Sequence, residues 1–111
     1  MTATTDLQPL GDLLRRLRVE RQLPMRVVAA AAGIDSTLLS KLELNQRLPT
    51  ATQAQALARF FGVPVDEFEA MRIATKFWQD FGNNPAAAKA AHLVREQAAK
   101  YRIRRTRRKS G

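Results

Sequence analysis

The sequence predicts an all-α protein, five short helices followed by a longer helical extension and a basic tail. Three observations carry this. Apolar residues recur at helical spacing along the whole chain. Nowhere do β-branched residues alternate with polar ones for more than a few positions, as a half-buried strand requires. Glycine, proline, asparagine and aspartate fall between the periodic stretches, where helices start and stop.

Leu10, Leu13, Leu14 and Leu17 share one face and predict a first helix over roughly residues 7–22, with an arginine-rich outer side. Pro24 suits the start of a second, short and alanine-rich helix over about 25–32, because its missing N–H costs little there. Gly33 ends it in the left-handed conformation that glycine tolerates. Asp35 is a good N-cap for a third helix over 36–44, whose inward face is Leu39 and Leu42. Asn45 ends that helix as the next best left-handed residue after glycine. Thr50 and Gln53 form a capping box that opens a fourth helix over roughly 51–61, with Ala54, Leu57, Ala58 and Phe61 facing inward and Gly62 ending it. Asp66 and Glu67 complement the positive end of a fifth helix over about 65–81, which carries Phe68, Met71, Phe77 and Trp78. The "GNNP" at 82–85 reads as a stop and restart, with Asn84 as N-cap and Pro85 in the first turn of a sixth helix over about 85–104. The domain layout expected from this is 1–70, a helical extension over 71–104, and a flexible tail over 105–111.

Composition narrows the function classes. The chain has 111 residues, enough to bury a core without staples. It has no cysteine, so disulfide, zinc-thiolate and Cys-nucleophile chemistry are all excluded. The N-terminus lacks the basic and apolar regions of a signal peptide, and no apolar run approaches the roughly 18 residues of a membrane span, so a cytoplasmic protein is expected. Of 19 basic residues, seven lie between Lys100 and Lys109 with no acid among them, leaving 12 against 10 acidic residues elsewhere. The body is therefore only mildly basic, and the tail carries the excess that points to a polyanion. A merely solvated terminus is the plainer alternative.

A short helix, a glycine-containing turn at 33–35 and a second short helix make a helix-turn-helix spacing, and Ala29 is small enough for the two helices to cross tightly. With "LGDLLRRLRVERQL" at 10–23, "VVAAAAGIDSTLLSKLE" at 27–43 and "LARFFGVPVDEF" at 57–68, the chain resembles the Cro/lambda-repressor-like helix-turn-helix family, the XRE family, over about residues 8–70. The wording "IDSTLLSKLE…RLPTATQAQALARFFGV" also resembles a bacterial subgroup of short regulators, some encoded beside restriction–modification genes.

The resemblance implies a third helix lying in the DNA major groove, with Ser36, Thr37, Leu38, Ser40 and Lys41 at the base edges. The residue types fit. Lysine donates to guanine, hydroxyls meet donors or acceptors, and the Thr methyl or an outward Leu38 packs on a thymine methyl. Small polar residues at a helix start are also ordinary capping chemistry, which is the plain reading of Ser36 and Thr37 taken alone. Phosphate contacts are expected from Arg26, Gln46 and Arg47, and from backbone N–H groups beginning at Met25. Arg15 and Arg16 are expected to be solvated surface. Family members pair an arginine of helix one with the glutamate ending helix three. Arg18 and Glu43 occupy those places, implying a partly buried pair that locks the two helices together. The chain departs from the family at Leu44-Asn45, where a basic-Gly pair is usual, and in the apolar "RVVAAAA" of helix two.

The extension is the third departure. Phe77, Trp78 and Phe81 on helix five, with Leu93, Val94, Ala98 and Tyr101 on helix six, would form either extra core within one chain or a dimer interface. The two-fold dimers of the family favour the interface. Arg102, Arg104, Arg105, Arg107, Arg108 and Lys109 would follow the phosphate backbone or enter a minor groove. His92 stands with no Cys or acidic partner at ligand spacing, so it is expected at a surface or interface, with no metal and no cofactor. No Gly-rich phosphate loop and no hydroxyl with a base partner suggests an enzyme. The expected function is a dimeric, sequence-specific DNA-binding transcription regulator, whose partners are double-stranded DNA and a second copy, with no membrane. The alternatives are an antitoxin-type autoregulator whose extension binds a second protein, or an RNA-binding protein that uses the tail. The latter lacks exposed aromatic platforms.

Overall fold

A computed structural model of the protein describes residues 8–110, with side chains for residues 8–101. The described residues form six α-helices and no strand: α1 Leu10–Glu20, α2 Met25–Ala31, α3 Ser36–Glu43, α4 Ala51–Phe61, α5 Val65–Phe81 and α6 Ala87–Ser110. Among them, no helix is long and apolar enough to cross a membrane. The chain divides into two compact units, the first ending at Phe77 and the second beginning at Trp78. The layout expected from the sequence divides after residue 70, and α5 is tied to α1 beyond that point. The Thr75 hydroxyl is buried and accepts the Leu10 N–H at 3.1 Å.

That contact also explains where α1 begins. The helix starts at Leu10, not near residue 7, because Pro9 sits outside it at φ −62° and ψ 153° and pushes the residue before it out of the helical region. Proline has no side chain able to cap, so the first helical N–H groups need other acceptors. Leu10 uses Thr75, and Gly11 donates to Asn45 Oδ1 at 3.0 Å.

The first four helices end in one way. Gln22, Gly33, Asn45 and Gly62 all have left-handed backbone, with φ of 55°, 70°, 60° and 75°. In each case the N–H of the following residue reaches five residues back, from Leu23 to Arg18, Ile34 to Ala29, Gln46 to Lys41 and Val63 to Ala58, at 2.9–3.0 Å. This is the Schellman closure, which satisfies carbonyls that a helix end leaves open. Sequence reasoning placed three of the four. It carried α1 through Gln22, because glutamine does not advertise a left-handed turn.

α6 begins later than expected. Asn84 caps as an Asx turn, its Oδ1 accepting from Ala86 N at 2.8 Å, and regular helix starts at Ala87. It then continues to Ser110, past the expected end near 104. None of the described α6 side chains is buried.

Leu10, Leu13 and Leu14 of α1, Val28 and Ala29 of α2, Leu39 and Leu42 of α3, Ala54, Leu57, Ala58 and Phe61 of α4, and Phe68 of α5 form the core. α1 packs on α3, and α2 packs on both α3 and α4. At about 25 cal/mol per Å² of apolar surface, each fully buried leucine contributes about 1.5–3 kcal/mol. Arg21 adds a further tie from the end of α1. Its Nη2 donates to Phe61 O at 2.8 Å, and its guanidinium lies 5.2 Å from the Phe61 ring centre.

Candidate nucleic-acid interface

The candidate site is the outer face of α3 and the loop that follows it. Asp35 caps the helix, its Oδ1 accepting the Leu38 N–H at 2.8 Å. Leu39 and Leu42 turn into the core, and this leaves Ser36, Thr37 and Lys41 exposed, with Ser40 half-buried beside them. Leu38 departs from the outward placement expected of it. It is half-buried and packs against the core, because it lies one turn before Leu42, at the edge of the inward stripe.

α3 is held to α1 at two places. At one, Arg18 and Glu43 form a bidentate pair, Nε to Oε2 at 2.7 Å and Nη2 to Oε1 at 3.0 Å. The glutamate side chain is only 2% exposed and the arginine 15%. Arg18 Nη1 also donates to Leu23 O at 3.2 Å, so the same guanidinium fixes the turn before α2. The Glu43 carboxylate raises the Arg18 pKa above its ordinary value, chiefly through these hydrogen bonds.

The second place is one that sequence reasoning missed. Asn45 accepts from Gly11 N and donates from Nδ2 to Asp12 Oδ1 at 2.8 Å. A Cβ on Gly11 would collide with the Leu42 carbonyl and the Asn45 side chain, so only glycine permits this approach. The available signal was a glycine at the second position of an otherwise strong helical pattern, which marks a close approach of backbone. Asn45 thus does more than stand in for a terminating glycine.

The expected phosphate-binding residues lie around this frame. Arg26 is exposed, and Met25 is half-buried against the core, so any contribution from Met25 comes through its backbone. Of the first α2 N–H groups, that of Val27 is engaged by Pro24 O at 3.1 Å. Gln46 and Arg47 are exposed, and both of their N–H groups donate to Lys41 O, at 2.9 and 3.3 Å. The loop is therefore tied to the end of α3.

In the second unit, Trp78 is 65% exposed, and Phe81, Leu93, Val94 and Tyr101 are exposed as well, so exposed aromatic side chains are present where the sequence was expected to lack them. Phe77, which closes the first unit, is half-buried. His92 is exposed but does have an acidic neighbour. Glu96 lies one helical turn on, with Nε2 to Oε2 at 3.9 Å, an i,i+4 spacing that the sequence reading overlooked. Among the described residues no three His, Cys, Asp or Glu side chains gather as a metal site. Arg102, Arg104, Arg105, Arg107, Arg108 and Lys109 lie outside the residues whose side chains are described.

Two short helices crossing through a left-handed glycine, with the second capped, exposed along one face and braced against the first helix of the domain, define a helix-turn-helix domain of the DNA-binding kind. The helix-turn-helix domain family matches residues 9–71, more than half of the chain, and the protein belongs to that family. The match spans α1 to α4 and the first part of α5. The chain matches no curated protein.

Proposed function

We infer that the protein is a sequence-specific transcription regulator that binds a two-fold DNA operator as a homodimer. The observation that carries this reading is the exposed face of α3 on a rigid mount. Ser36, Thr37 and Lys41 have no structural duty to the core, while Glu43 and Asn45 fix the helix that bears them. Ser36, Thr37, Ser40 and Lys41 would read base edges, with the uncovered part of Leu38 against a thymine methyl. Arg26, Gln46, Arg47 and the N–H groups of Met25 and Arg26 would set register on the phosphates. XRE-type membership is the finer reading, supported by the Arg18–Glu43 pair.

The dimer is supported by the large apolar side chains of Trp78, Phe81, Leu93, Val94 and Tyr101, exposed in a single copy. A two-fold operator of this kind carries half-sites about one helical turn apart, one for the α3 of each copy. The test is footprinting over the DNA upstream of the protein's own gene. A protected inverted repeat, with Lys41→Ala weakening protection and relaxing base preference, supports the reading. No protection, together with tight binding to the product of a neighbouring gene, would replace it with the antitoxin reading.

A further inference from the structure

The outer side of α1 and the end of α3 enclose an open groove of about 560 Å³, on which the proposed DNA contacts make no demand. Its apolar part is Val19, 52% exposed, and Leu44, 60% exposed. One branched aliphatic side chain on α1 and another just past the end of α3 thus line the same groove and are left to water.

The charges around them are unequal in what they offer. Asp12 accepts from Asn45, and Glu43 is taken by Arg18. The two acids therefore serve the frame. Arg15 makes no hydrogen bond or ion pair among the described residues, and Arg16 approaches only Glu20, at 4.0 Å between two largely exposed side chains. An exposed pair of that kind is worth little and is readily exchanged. The groove therefore presents an apolar seat with two available guanidiniums beside it.

We propose that this groove docks an acidic peptide segment of a partner protein, seating one large aliphatic side chain between Val19 and Leu44 while flanking carboxylates reach Arg15 and Arg16. Arginine suits this role because its planar fork meets a carboxylate at two points. A nucleic-acid phosphate would satisfy the arginines but leave the aliphatic pair uncovered, so the seat favours protein. The groove rests on the Asn45 and Glu43 braces and is formed before a partner arrives, which lowers the ordering cost of binding.

The test is fluorescence anisotropy on the full-length protein with a labelled peptide of one leucine flanked by glutamates. The basic residues at 100–109 attract any acidic peptide, so the same peptide with serine for leucine sets the baseline. The leucine peptide should bind at least fivefold more tightly than the serine peptide. Leu44→Ser should abolish that difference, and Arg15→Ser with Arg16→Ser should weaken binding of the leucine peptide at least fivefold. Arg59→Ser, an exposed cation on α4, controls for net charge and should leave the leucine preference intact. All four substitutions are at surface positions, and thermal melts should confirm folding. Equal binding of the two peptides, or a preference that survives Leu44→Ser, overturns the proposal. So does a result in which the groove variants weaken duplex DNA binding or self-association in sedimentation while peptide binding is unchanged.

Discussion

Replacing Glu43 with alanine tests how much of the fold rests on the pair that joins α3 to α1. Glu43 is 4% exposed and accepts two short charge-assisted bonds from Arg18. Removing it strands a guanidinium that is 15% exposed at the side chain and still held by Leu23 O. Breaking a buried pair from one side typically costs about 3–5 kcal/mol. Arg18 retains some access to water, so the lower end applies, about 3 kcal/mol. For a domain of this size, each kcal/mol moves the melting temperature by roughly 4–8 °C, so a loss of roughly 12–24 °C is expected.

The assay is urea denaturation of the parent, Glu43→Ala, Arg18→Met and the double variant, read as a cycle. The two single losses should exceed the double loss by about 2 kcal/mol or more, because the double variant strands no charge. The double variant should still be less stable than the parent by about 1 kcal/mol, since Leu23 O loses its donor. A Glu43→Ala protein that melts within 1 °C of the parent would refute the reasoning. So would strict additivity, which would mean that the two side chains contribute separately, through packing alone.

Three other outcomes are expected. Thr75→Val keeps the shape of the side chain but leaves the buried Leu10 N–H without an acceptor, and should cost about 1–3 kcal/mol by urea denaturation. Asn45→Ala should lose more stability than Asn45→Gly, by about 1 kcal/mol, because both lose the Gly11 and Asp12 bonds while alanine alone also resists the left-handed backbone at φ 60°. Deleting residues 102–111 should lower affinity for all duplex sequences alike and flatten the dependence on salt. An unchanged slope in a salt titration would remove the tail from the DNA-binding surface.

Much of the fold was legible because it rests on local signals. The leucine spacing of α1, the Asp35 cap and the Thr50–Gln53 box each act within a few residues, and each bond forms as expected, the box with Thr50 N to Gln53 Oε1 at 3.0 Å and Gln53 N to Thr50 Oγ1 at 3.1 Å. What escaped was long-range. Gly11 to Asn45, Arg21 to Phe61 and Leu10 to Thr75 join residues 34, 40 and 65 positions apart, and no periodicity encodes such pairs. Arg18 and Glu43 are also far apart in sequence, by 25 positions, and are paired at that level only through the family resemblance. The groove at Leu44 escaped for the same reason, since its two apolar side chains, Val19 and Leu44, are 25 positions apart in the sequence.

These long-range ties also determine what can vary. α3 meets α1 through Glu43, its last residue, and through Asn45, two residues past it. Its inward face is fixed by Leu39 and Leu42. All the orienting interactions therefore lie in the inward face and the C-terminal end. Ser36, Thr37 and Lys41 share no hydrogen bond with any of them, and Asp35 caps the helix without using either hydroxyl. Substitutions at distant or unshared positions add independently. Exchanging these three side chains should thus change which bases are preferred while stability stays within about 0.5 kcal/mol of the parent. A helix mounted by one end and one face leaves the remaining face free to diversify, and that separation is the physical condition for one fold to serve many operators.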